Sequence, residues 1–115
     1  MILNLSMKPP FGDVELKLLK GTYSGNNTAL RLVDTEDGTP FATITVNIPE
    51  LSHLLEDDEF FVKTWSENGP IIEALRKLDL FTEVAEKKFE YGFRDVMVEV
   101  WKFTDPNTLN QLHFQ

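Results

Sequence analysis

The stretch Thr28-Ala29-Leu30-Arg31-Leu32-Val33, followed after Asp37-Gly38 by Pro40-Phe41-Ala42-Thr43-Ile44-Thr45-Val46-Asn47, decides the fold class. Both segments are short and rich in β-branched or aliphatic residues, and Asp-Gly between two such runs is a strong short-range hairpin signal. Phe41 to Asn47 reads as a strand with Ala42, Ile44 and Val46 on a core face and Thr43, Thr45 and Asn47 on a wet face.

Working toward the N-terminus, Val14, Leu16 and Leu18 alternate with Glu15 and Lys17, the period-2 pattern of a half-buried strand running to Lys20. Ser24-Gly25-Asn26-Asn27 supplies residues that tolerate positive φ or bond their own backbone, so a turn should return the chain into Thr28–Val33. Three strands thus form a meander. Before them, Pro9-Pro10-Phe11-Gly12 reads as a stiff lead-in, because proline fixes φ and restricts its predecessor.

Toward the C-terminus, Pro49 closes the third strand. Leu51, Leu54 and Leu55 suggest a helical turn, and Glu56-Asp57-Asp58-Glu59 a charged loop. Phe60 to Trp65 has strand composition. Ser66 to Pro70 carries helix-start signals, and Ile71, Ile72, Leu75 and Leu78 form one apolar stripe, so a helix should run to about Leu78 with Glu73 pairing to Arg76 and Lys77. Lys88–Phe93 and Asp95–Phe103 suit two further strands. The expectation is one α+β domain over residues 1–105, a mixed, mainly antiparallel sheet of five or six strands with one helix, and a polar tail over 106–115 that is disordered or docks through Leu109, Leu112 and Phe114.

Composition narrows the function. At 115 residues and 42% hydrophobic the chain suits one core. It has no cysteine, which removes disulfides and thiol chemistry and fits a reducing compartment; the bacterial cytoplasm is the expected location. The N-terminus lacks a signal-peptide layout, and no apolar run approaches the roughly 20 residues that cross a bilayer, so no membrane is expected. Two histidines, His53 and His113, offer no nucleophile–base pair, and no glycine cluster cradles a phosphate, so neither an enzyme nor a cofactor is expected. Neither Asp57-Asp58-Glu59 nor the Asp34–Gly38 loop has calcium-loop spacing, so no metal is expected.

The formal charge of −8 argues against direct contact with nucleic acid. Its distribution says more: Asp34, Glu36, Asp37, Glu50, Glu56, Asp57, Asp58, Glu59 and Glu67 share their segment with a single base, Lys63. One reading makes this block a solubilising surface around core aromatics. The other makes it a binding surface for a basic protein groove, imitating the dense charge of duplex DNA, about one per 1.7 Å. On that reading Glu56, Asp57, Asp58 and Glu59 carry the contact, Asp34, Glu36 and Asp37 form a second patch, and Glu67 stands beside them. A module that self-associates, or docks to another protein of the same genetic element, is the alternative.

The run from Asp37 to Pro49, with Asp58-Glu59-Phe60-Phe61-Val62-Lys63-Thr64-Trp65-Ser66-Glu67-Asn68, resembles a family of small acidic proteins of unknown function encoded on phages and conjugative elements of gut bacteria. The likeness covers roughly positions 14 to 95, including Gly92-Phe93, and is weaker over the last twenty residues. The resemblance implies no catalytic residues. It implies an accessory role of the anti-CRISPR or antirestriction kind, whose target is a nucleic-acid-binding nuclease.

Overall fold

The structure, a computed structural model, describes residues 1–91 and 96–114. It is α+β, with two antiparallel sheets. β1 (Ile2–Ser6), β2 (Asp13–Thr22), β3 (Thr28–Asp34) and β4 (Pro40–Thr43) lie side by side in that order; β5 (Glu59–Val62), β7 (Val96–Phe103) and β6 (Phe81–Tyr91) form the second sheet, with β7 in the middle. The principal helix is α1 (Gly69–Arg76), and α2 (Asn107–Gln111) follows β7.

The four-strand meander contains one strand more than expected. β1 lies ahead of the Pro9–Gly12 lead-in, where no strand was expected, with Leu3, Leu5 and Met7 buried between exposed Ile2, Asn4 and Ser6. Pro9-Pro10 does not end structure there but tightens a turn: the Met7 amide donates to the Gly12 carbonyl (2.9 Å), and Gly12 takes a φ of 63° that a side chain would resist. Asn26, at φ 70°, turns β2 into β3, and Gly38, at φ 72°, turns β3 into β4.

The expected single sheet is instead two, and Thr45 shows why. Regular pairing of β3 with β4 shifts register at Leu32/Val33, after which the Thr45 hydroxyl accepts the Leu30 amide (3.1 Å) and meets the Tyr23 hydroxyl (3.0 Å). Thr45, expected on a wet face, is therefore buried. The chain then leaves β3 for β5: the Lys63 amide donates to the Ile44 carbonyl (2.8 Å) and the Val46 amide to that of Phe61 (3.1 Å). Residues 44–46 thus splice the two sheets along one backbone.

The main core lies between the inner face of the first sheet, one face of the second and α1. It joins Leu5, Leu16, Leu18, Leu30, Leu32 and Ile44 to Phe60, Val62, Leu75, Trp101 and Phe103. A smaller core on the other face of the second sheet gathers Ile48, Phe61, Val84, Val98 and Val100, with Leu51 and Leu55 packed against it. Strand β5 is consequently buried on both faces, which explains its unbroken Phe60-Phe61-Val62. Edge-to-face contacts of Phe60 with Phe81 (5.9 Å) and Phe103 (5.8 Å) tie β5 across β7 to β6.

The helix starts beside Pro70, as expected, at Gly69 after a 3-10 turn over Ser66–Asn68, and ends at Arg76, two residues before Leu78. Asn68 is buried, its amide donating to the carbonyls of Thr43 (2.7 Å) and Lys63 (3.1 Å), which pins the helix start to the splice. The expected pairing of Glu73 with Arg76 and Lys77 does not form. Glu73 meets Lys8 (3.3 Å), and Arg76 reaches Glu83 and Glu99 on the second sheet, because that sheet packs beside the last turn. The strand expected at Lys88–Phe93 begins earlier, at Phe81, and its Gly92 and Phe93 lie outside the described residues, as does Asp95 of the last expected strand.

Of the two fates considered for the C-terminal segment, docking is the one found. Thr108 and Leu112 are buried, Leu109 packs on the core, and the Lys20 amide donates to the His113 carbonyl (3.0 Å) where β2 outruns β1. Phe114 stays exposed, with the Lys20 ammonium over its ring at 4.8 Å.

Two substitutions test this architecture. Thr45→Val keeps the shape but strands the Leu30 amide, so urea denaturation should show a loss of about 1–3 kcal/mol. Leu112→Ala should cost about 2–5 kcal/mol, the range for emptying a core leucine site, whereas a free tail would lose nothing.

Candidate functional site

The loop between the 3-10 turn Pro49–Leu54 and β5 carries the densest run of acids. Glu56, Asp57 and Asp58 are exposed, and among the described residues none of them forms an ion pair. Glu59 is different. As the first residue of β5 it points inward, its side chain only 6% exposed, and one carboxylate oxygen accepts both the Lys87 ammonium (2.6 Å) and the Glu56 amide (2.9 Å). The expected four-acid contact surface is therefore three acids resting on a fourth that acts as their anchor.

Lys87 also donates to the Leu54 carbonyl (2.9 Å), so one ammonium ties the end of the 3-10 turn and the start of β5 to β6. Burial pushes the Glu59 carboxyl up, but the Glu56 amide and the Lys87 ammonium together outweigh it and hold the group below its ordinary range. The same contact raises Lys87. Lys63 and Lys87 are thus bound to acids other than the exposed three, and Lys102, opposite Glu59 on β7, adds to the positive charge around Glu59.

The loop faces the turn before β3. Between them lies a cleft of about 310 Å³, lined by Asn26, Asn27, Ser52, His53, Glu56 and Asp57 among others. The second expected patch sits elsewhere. The Asp34 carboxylate accepts the Glu36 amide (2.8 Å), and Asp37 accepts the Thr39 amide (2.9 Å), so these acids shape the β3–β4 turn. Hydrogen bonds from Thr39, side chain and amide, hold Asp37 below its ordinary value. The cleft meets β3 at Thr28 and this turn follows Asp34, so the two patches flank opposite ends of a seven-residue strand, roughly 20 Å at 3.4 Å per residue.

Glu67 belongs to neither patch. It lies in the 3-10 turn beside Asn68, exposed, and accepts the Lys63 ammonium (2.8 Å), which with further hydrogen bonds brings its pKa down to about 2. Among the described residues, the acid-rich segment is thus divided by the fold into two patches without ion pairs, one neutralised pair, one buried anchor, and Glu50 in the 3-10 turn.

A constellation missed by sequence reading links α1 to the second sheet. The Arg76 guanidinium donates to Glu83 (3.1 Å) and Glu99 (2.6 Å) and lies over the Trp101 ring at 5.2 Å, while the Trp101 indole donates to Glu99 (3.1 Å). Lys88 meets the other oxygen of Glu83 (3.3 Å), so two cations face two carboxylates, and the cluster acts as a latch between elements. The strand that carries Glu99 and Trp101 was legible, but the meeting of Arg76 with Glu99 was not, since they are 23 residues apart.

Among the described residues no group of three or more His, Asp or Glu side chains is arranged to hold a metal ion, and no helix is long and apolar enough to cross a membrane. No protein-family model, no curated protein and no solved structure matches this chain.

The Glu59 anchor has a pH signature. A carboxyl held below its ordinary value of 4.5 stabilises the fold fully above that value and loses the contribution as pH falls through the lower folded value. Glu59→Gln should unfold at lower urea than the parent at neutral pH, with the gap closing in acid; a gap independent of pH would remove the ion pair from the account.

Proposed function

We propose that this protein binds a basic protein surface through Glu56, Asp57 and Asp58, and that its target is a nucleic-acid-binding nuclease of host defence, of the CRISPR or restriction type. The observation that carries this reading is that, among the described residues, the three carboxylates are exposed and form no ion pair, while Lys63 and Lys87 are bound to other acids.

Exposed carboxylates without partners raise the local negative potential, which steers a Lys- and Arg-lined groove toward them and offers bidentate contact to guanidinium groups. Their loop is held at both ends, by Lys87 on the Leu54 carbonyl and by Glu59 on the Glu56 amide. A pre-ordered loop costs less entropy on binding than a free one. Asp34, Glu36 and Asp37, beyond the far end of β3, supply a second contact on a partner broad enough to span both. Glu67, already paired, contributes little, and Glu59 supports the loop from beneath. The resemblance to acidic proteins of mobile elements supplies the biological setting.

The test is a pull-down from bacterial lysate containing guide-loaded CRISPR nucleases and restriction enzymes, run across a salt series beside the triple variant Glu56→Lys, Asp57→Lys, Asp58→Lys. The expected result is capture of a nuclease that fades with salt and vanishes in the variant, whose circular dichroism is unchanged because all three side chains are exposed. Capture that ignores salt, or equal capture by the variant, overturns the reading.

A further inference from the structure

We infer that β1 is a self-pairing edge, through which two copies of this chain join antiparallel about a two-fold axis at Asn4, merging their four-strand sheets into one of twice the width.

The register determines which backbone groups are free. The Leu18 amide donates to the Met1 carbonyl (2.8 Å), the Met7 amide donates to the Gly12 carbonyl (2.9 Å), and the ladder between runs from Ile2↔Lys17 to Ser6↔Asp13. Bonded and non-bonded pairs alternate along an antiparallel ladder. Met1, Leu3, Leu5 and Met7 therefore bond to β2, while Ile2, Asn4 and Ser6 turn their N–H and C=O groups away from it. Strand β1 pairs with β2 alone, and no other backbone hydrogen bond reaches those three residues among the described residues. All three are exposed, Ile2 to 58%.

Folded proteins guard such edges with charge, proline or bulges. The outer strand of the other sheet, β6, is guarded in this way, carrying Glu83, Glu86, Lys87, Lys88 and Glu90. Ile2–Ser6 has no charge, no proline and no break in register. In a chain of net charge −8, an edge this neutral is the place where another strand meets the least repulsion.

A second copy is the occupant that matches. An axis at Asn4 sets Ile2 opposite Ser6 of the second copy and Asn4 opposite Asn4, each of the three residue pairs exchanging two backbone hydrogen bonds. An asparagine amide holds both a donor and an acceptor, so two facing asparagines satisfy each other. Lys17 flanks Ile2, Glu15 flanks Asn4 and Asp13 flanks Ser6, so the same axis ends each of the two outer rows in Lys17 of one copy and Asp13 of the other, opposite signs, and the central row in Glu15 of both, the two ends of every row lying three strand spacings, about 14 Å, apart. The inference does not depend on the acidic patches, which lie at the β2–β3 and β3–β4 ends of the sheet.

The test is sedimentation equilibrium of the full chain over a range of concentration and salt, with Asn4→Pro and Asn4→Lys beside the parent. Both substitutions block the free edge and leave the β2 ladder intact, because the Asn4 amide faces outward; if proline disturbs the strand, lysine supplies the same answer. The parent should associate as a dimer that tightens as salt screens the net charge, opposite to the salt response of an acidic contact. Each variant should raise the dimer dissociation constant at least about tenfold with an unchanged circular dichroism spectrum. In hydrogen exchange, the amides of Ile2, Asn4 and Ser6 should gain protection with concentration. A parent monomeric at every concentration and salt, variants that dimerise like the parent, or new protection on β6 instead, would overturn the inference.

Discussion

The hydrogen bond from the Leu30 amide to the Thr45 hydroxyl is the constraint on which the rest of this structure depends. It satisfies the β3 backbone with a side chain at the point where the β4 backbone has to leave. The carbonyl of Ile44 and the amide of Val46 are then free to take up β5, and one segment serves two sheets. A buried polar group in such a place is costly unless bonded, and Thr45 is bonded twice over, to Leu30 and to Tyr23. The Asn68 side chain, bonded to Thr43 and Lys63, then sets the start of α1 against this splice.

Because β5 enters at the splice, it is covered on both faces, and its first residue, Glu59, is drawn under the surface with the rest of the strand. That single fact divides the acidic segment. A carboxylate at this position needs a cation, and β6 provides Lys87. The three acids before it remain outside and unmatched. The charge of the loop and the burial of the strand are thus two consequences of one chain path, and a partner would read a surface whose rigidity is borrowed from the core.

Periodicity made much of the fold legible. Val14, Leu16 and Leu18, the Asp37-Gly38 turn, and the apolar stripe of α1 all stand where local pattern puts them, since alternation and turn chemistry are properties of a few adjacent residues. The same alternation is present in Leu3, Leu5 and Met7, where no strand was expected; the Pro9-Pro10 that follows forms part of the connection to β2. The docking of Leu112 was not legible, because a short apolar segment after Asp105-Pro106 looks the same whether or not a core is there to receive it.

By itself, the sequence determined the fold class, the places of β2, β3 and β7, and a chain whose charge is concentrated between residues 34 and 67. Tertiary structure alone decided which of those charges face outward. Glu59 and Asp58 are neighbours of the same chemistry, and nothing local distinguishes them; one meets Lys87 across 28 residues of chain, and the other meets solvent. Whether a carboxylate is an anchor or an exposed contact depends on what the far parts of the chain bring to it, and that pairing exists only once the sheets have closed.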